Sequence, residues 1–171
     1  MATQKVLTTL GTPLVFKNTG GDAVWIPADT ALALGRQSAV LDLTALHALR
    51  YEWRCTVQWV ATPAAGDQFR IYLVTSSASA TAALTDGGST FGDAEVAAAT
   101  EVLYQANTKL IGIVTATAAD VIFCASGIIE IGARYVGVCG YNGSATKAMH
   151  ATDATFHFTL TPLIDDVQAA A

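Results

Sequence analysis

The sequence predicts an all-β fold, a sandwich or barrel of short antiparallel strands. Three features of the chain point to it. Apolar and polar side chains alternate strictly through residues 51–60. Eight or more short β-compatible runs are set apart by turn-forming residues. The composition is dominated by Ala and Thr with Gly and Ser behind them, small residues that suit close-packed strands and tight turns.

Taken in order, the first runs are 6–10 and 13–17, separated by a Gly11-Thr12 break. Residues 18–22, Asn-Thr-Gly-Gly-Asp, form a turn that leads into a strand over 23–26. Residues 40–43 are a short strand. The clearest element follows. Tyr51, Trp53, Cys55, Val57 and Trp59 alternate with Glu52, Arg54, Thr56 and Gln58, which turns an aromatic face inward and a polar face outward. After the breakers at 62–67, Phe69, Ile71 and Leu73 alternate with Gln68, Arg70 and Tyr72. These two runs read as an antiparallel hairpin with Glu52 or Arg54 facing Arg70 and Gln68. Residues 76–92 are rich in Ser, Thr, Ala and Gly and read as a long surface loop. Asp93 then caps a helix whose face carries Val96, Ala99, Leu103 and Ala106, with Glu95 and Glu101 on its exposed side. Strands return at 110–117, 121–124, 128–131 and 134–141, and Asn142-Gly143 marks a tight turn. The last run, 155–160, puts Phe156, Phe158 and Leu160 on one side. Residues 1–12 and 161–171 read as extended arms on a single domain spanning 1–171.

Composition narrows the function. The 171 residues are enough for one domain with a real core. Hydrophobic residues are 52% of the chain and charged residues 13%, about half the usual charged share of about 25%. A surface so poor in charge points to coverage by a partner. No run approaches the roughly 18 apolar residues that a spanning helix needs, so no membrane partner is expected. The start, Met1-Ala2-Thr3-Gln4-Lys5, lacks the pattern of a secretory signal. The nine basic residues are scattered singly against a net charge of -5, which argues against nucleic acid. Cys55, Cys124 and Cys139 lie in apolar segments and read as small buried hydrophobes in a reducing compartment.

No motif assembles a catalytic centre. Gly87-Gly88-Ser89-Thr90-Phe91 fails as a nucleophile elbow at its last position. Neither a phosphate loop, a Cys-x-x-Cys pair nor a His-Glu-x-x-His run occurs in the sequence. His150 and His157 flank Asp153 as a conceivable metal or acid-base cluster. On a strand, however, their odd separation sends the two rings to opposite faces, and His157 points to solvent or a neighbouring subunit. His47 reads as a packed or interfacial imidazole. Asp165-Asp166 stands in the terminal arm, where a catalytic group is not held rigidly. Trp53 and Trp59 read as core, leaving Trp25 as the surface candidate for a sugar-stacking platform. The chain is therefore expected to be non-enzymatic, with no catalytic, cofactor-binding or metal-binding residue.

The segment 134–145, Arg-Tyr-Val-Gly-Val-Cys-Gly-Tyr-Asn-Gly-Ser-Ala, and the segment 156–168, Phe-His-Phe-Thr-Leu-Thr-Pro-Leu-Ile-Asp-Asp-Val-Gln, resemble the end of small structural proteins of tailed bacteriophages. The likeness covers about the last fifth of the chain. It implies a jelly-roll-like β-sandwich located on the virion after synthesis in the host cytoplasm. A capsid decoration (cement) protein that bridges capsomers comes first, and a tail or baseplate component or lectin-like receptor-binding module second. The implied partners are the major capsid protein or other virion proteins. Copies of the chain itself are implied too, with a trimer favoured because capsid three-fold positions invite one. No catalytic residue carries over from such proteins.

Overall fold

The computed structural model describes residues 5–25, 35–45, 48–76, 94–96, 101, 108–150 and 152–168. Twelve strands occur among them: β1 Lys5–Leu10, β2 Leu14–Lys17, β3 Ala23–Val24, β4 Gly35–Gln37, β5 Leu41–Asp42 and β6 Arg50–Val57 in the first half. The second half holds β7 Gln68–Ser76, β8 Ala94–Val96, β9 Lys109–Thr115, β10 Phe123–Glu130, β11 Tyr135–Asn142 and β12 His157–Gln168. They form two sheets, in the orders β10-β6-β12-β2-β3 and β8-β4-β11-β7-β9, with β1 added to β12 and β5 added to β11. Every pairing is antiparallel except β2 with β3.

The order has a simple logic. β7 pairs with β9, β6 with β10, β4 with β11 and β2 with β12, so the chain folds back on itself as one long nested ribbon. Rolling that ribbon brings β12 beside β6 and β11 beside β7, which closes the two sheets. This is the jelly-roll arrangement of a double-sheet sandwich.

The alternation through residues 51–57 is real, but the hairpin expected from it is not formed. β6 and β7 lie in different sheets. Glu52 stands opposite Ile128 and Thr161, Arg54 opposite Ser126 and Thr159, and Arg70 opposite Ile113 and Tyr141. Two strands that each carry an apolar face hide both faces by stacking across a core, whereas side by side they would leave one wide apolar surface to cover. The crossing segment is anchored by Trp59, buried and bridged to Met149, and turns at Gly66, whose φ of 93° is left-handed.

The core is aromatic. Trp25 sits among Phe156 (ring centroids 4.5 Å apart), Phe69 (6.3 Å) and Phe158 (6.4 Å). Phe158 also meets Phe16 edge-on at 5.6 Å and stacks with Trp53 at 6.2 Å. Rings of this size fit between two sheets only where the facing strand gives way. Gly112 on β9 does so: a Cβ there would lie 2.5 Å from the Trp53 ring. Gly140 on β11 likewise leaves room for Trp25 and for Phe69 of the neighbouring strand β7.

Other expectations are corrected. Val96, assigned to a helical face, lies in β8 with Glu95 opposite Arg36; Glu101 is helical, and Asp93, Ala99, Leu103 and Ala106 lie outside the described residues. Residues 77–93 of the expected loop also lie outside them. The runs 121–124 and 128–131 are one strand, because the small residues between them, Ala125 to Gly127, still pair with Cys55 to Trp53. Asn142 is not a turn residue. It is buried, accepts from the Trp59 indole N–H (3.0 Å) and the Ser144 amide (3.1 Å), and donates to the Lys147 carbonyl (2.6 Å).

Over their described parts the terminal segments pair with each other. β1 pairs with the far end of β12, from Lys5 opposite Gln168 to Leu10 opposite Leu163. β1 and β2 run along the same edge of β12, interrupted by a bulge at Gly11 to Pro13 where Gly11 donates to the Pro162 carbonyl (2.8 Å). Pro162 is tolerated within β12 because its missing N–H falls at this bulge and not in the ladder with β6.

Gly140→Ala is expected to cost about 1–3 kcal/mol through overpacking. Ser126→Ala on the outward face should cost less than about 0.5 kcal/mol. Urea denaturation followed by tryptophan fluorescence checks both.

Candidate functional site

The residues singled out as possible chemistry do not converge. The Asp153 carboxylate accepts from the Asn18 amide (3.0 Å), the Thr19 amide (3.4 Å) and the Thr19 hydroxyl (2.6 Å), so it pins the turn before β3. His157 Nδ1 lies 2.9 Å from the Asp153 carbonyl oxygen, and His150 Nδ1 lies 3.3 Å from the Thr152 hydroxyl. His47 lies outside the described residues. Among the described residues no group of three His, Cys, Asp or Glu side chains is placed to share a metal ion.

Trp25, read from sequence as the exposed tryptophan, has no exposed surface; its indole N–H donates to the Arg36 carbonyl at 2.9 Å. The ring is covered because Phe69, Phe156 and Phe158 pack around it. All three tryptophans are core, so none forms a sugar-stacking platform.

The cysteines split. Cys55 and Cys139 are buried, whereas Cys124 is exposed, its sulfur 3.6 Å from the Thr56 hydroxyl and 3.9 Å from Arg54 Nη2. The expectation of burial fails at Cys124 although its neighbours Ile122 and Phe123 are apolar, because β10 turns its side chain outward opposite Thr56. Burial holds the Cys55 thiol far above its ordinary pKa.

A polar cluster that the sequence reading missed lies on the outward face of the second sheet. Arg70 pairs with Glu101, with Nη2 to Oε2 at 2.6 Å, and the Tyr72 hydroxyl donates to the same carboxylate at 3.0 Å. Tyr72, Val74, Cys139 and Tyr141 form a small second core beside it. Glu101 was assigned to an exposed helical side, yet its side chain is only 14% exposed. The Glu101 hydrogen bond raises the Arg70 pKa, and burial raises that of Tyr141. The signal in the sequence was Arg70 and Tyr72 two apart on the face opposite Phe69 and Ile71. Here the ion pair ties the segment at residue 101 to the sheet.

The remaining feature is a groove of about 520 Å³ at one end of the sandwich. It lies between Leu49 and Arg50 at the entry to β6, Glu130 and Ile131 at the exit of β10, and β12 at Leu163 to Asp165. Leu49 is 71% exposed and Ile164 is 43% exposed, so its walls carry open apolar surface. Asp165, expected in a loose tail, is held in β12: it takes a bond from the Thr8 hydroxyl (2.7 Å) and pairs with Arg50 (2.6 Å). Those two contacts, the Thr8 hydroxyl first, lower its pKa.

The sequence matches no protein-family model, and a search of curated proteins finds no match.

Two outcomes follow from this chemistry. Iodoacetamide should label one thiol of the folded protein, Cys124, and all three after unfolding, as read by intact mass. Asp153 has a native pKa below its ordinary value, chiefly through the Thr19 hydroxyl. The unfolded chain therefore takes up that proton first, and the stabilisation present above about pH 4 is lost as the pH falls through the native value. Asp153→Asn should lower stability at pH 7 and flatten the loss between pH 5 and pH 2, measured by thermal unfolding.

Proposed function

We propose that this chain is a non-enzymatic structural protein of a virion, a capsid decoration protein that bridges shell subunits, with a tail position as the alternative place for the same module. The reading rests first on one observation: a jelly roll whose interior is filled, and whose terminal strands run past the sandwich as a ribbon. A cupin-type enzyme of this architecture needs a cavity lined by metal ligands. Here Trp25, Trp53, Phe69, Phe156 and Phe158 occupy that space.

The ribbon supports assembly. β6 begins at Arg50, opposite Leu163, so among the described strands residues 164–168 pair with β1 alone. A two-stranded ribbon is marginal in water by itself, and a neighbour that covers it gains apolar contact and ladder bonds together. Leu10, Leu49, Ile128 and Ile164 are exposed around the same end of the sandwich. The scarcity of charge is of a piece with a surface that meets protein. Weak contacts of this kind become strong when a symmetric shell repeats them. A lectin-like module would need an exposed aromatic platform, which the buried tryptophans do not supply.

The purified chain should run at three times its chain mass by light scattering behind a sizing column. It should also co-sediment with tailed-phage capsids that lack it. A monomer that ignores capsids and binds a glycan array would overturn the reading in favour of the lectin-like module.

A further inference from the structure

We infer that the edge of the terminal ribbon that no described strand pairs, together with the groove beside it, docks an extended segment of a partner protein that carries lysine or arginine. The inference deepens the assembly reading above and rests on it for the identity of the partner as a protein.

The edge can be located residue by residue. Along a strand, the N–H and C=O of successive residues point to opposite sides. The Pro162 carbonyl accepts from Gly11, on the β1 side of the strand, and the Thr9 hydroxyl reaches the Ile164 carbonyl on that same side. The backbone groups of Ile164, Asp166 and Gln168 therefore serve the ladder with β1. Those of Leu163, Asp165 and Val167 face the other way. Leu163 meets Arg50 there, at the first residue of β6. No described strand continues opposite Asp165 and Val167. Two amides and two carbonyls thus stand in line at the mouth of a groove walled by Leu49, Ile131 and Ile164. That is the geometry into which an extended peptide adds as a strand, with ladder bonds for affinity and a side-chain pocket for register.

Charge selects the occupant. Three acidic residues of β10 and β12, Glu130, Asp165 and Asp166, stand at this end against Arg50 of β6 and Lys5 of β1, on a chain of net charge -5. A second copy presenting the same edge is disfavoured. The antiparallel register that uses both Asp165 and Val167 sets Asp166 opposite itself, and like charges directly opposite are destabilising. A segment with basic side chains meets the acidic rim favourably while its apolar residues fill the groove.

The test uses the full chain and two eight-residue peptides, one alternating lysine with valine and one alternating glutamate with valine. Amide exchange by NMR on the wild-type protein is the first readout. The lysine peptide should slow exchange at Asp165 and Val167 at least tenfold and leave Ile164, Asp166 and Gln168 within twofold. Val167→Pro removes a free-edge N–H and spares the ladder with β1, so it should weaken the lysine peptide at least tenfold. Val167→Ala keeps the N–H and should bind within twofold of wild type. Equal binding of the glutamate peptide, unchanged exchange at Asp165 and Val167, or self-association that protects the same two amides without peptide would each overturn the proposal. Capsid co-sedimentation separates it from the broader reading: binding to capsids without peptide protection sinks this site alone, and peptide protection without capsid binding sinks the virion assignment alone.

Discussion

Everything in this molecule depends on covering one aromatic face. β6 and β12 lie side by side and present Trp53, Cys55, Phe158 and Leu160 to the same interior, all buried. Fully burying a large apolar side chain contributes roughly 1.5–3 kcal/mol, so this face is a dominant stabilising surface for a chain of this size. It is satisfied by a second sheet, which is why β7 leaves β6 and crosses to the opposite layer. Gly112 belongs to the same constraint, since the Trp53 ring needs a facing strand without a side chain at that point.

The polar groups that survive inside are those that hold this packing in register. Asn142 accepts from Trp59 and ties the end of β11 to the crossing segment. The Trp25 indole N–H reaches the Arg36 carbonyl and joins β3 to β4 across the two sheets. Arg134, at the opening of β11, pairs with Asp42 of β5 at 2.7 Å and lies over the Tyr135 ring. That pair is exposed, so it fixes geometry more than it adds stability. The interior is thus spent on structure, and the surface features with chemical freedom are at the end where β1 pairs with β12.

There the same strand has two roles. From His157 to Leu163 β12 is central and bonded on both sides for much of its length. Beyond Leu163 it keeps one partner among the described strands and carries two adjacent acidic residues, Asp165 and Asp166. Acidic residues on an open strand edge oppose pairing between like copies while leaving the edge open to a strand of opposite charge. Arg50 holds Asp165 in place and keeps the ribbon aligned with the sheet it leaves.

Local pattern was enough to identify most strands, because alternation reports which side of a strand is buried whatever layer that strand joins. Tyr51 to Val57, Phe69 to Leu73 and Phe156 to Leu160 could all be read this way. The short strands at residues 35–37 and 94–96 had no such signal: three residues are too few for a period. Burial of Trp25 and exposure of Cys124 were not legible, since each depends on what lies opposite, and that partner comes from more than a hundred residues away or from a facing strand. Nor was the ion pair of Arg70 with Glu101, or the groove beside β12, visible in any local run. Local pattern establishes that the chain is built of strands with one apolar side. Which strands are neighbours is set in three dimensions, because pairing is chosen by how all the apolar faces can be buried at once.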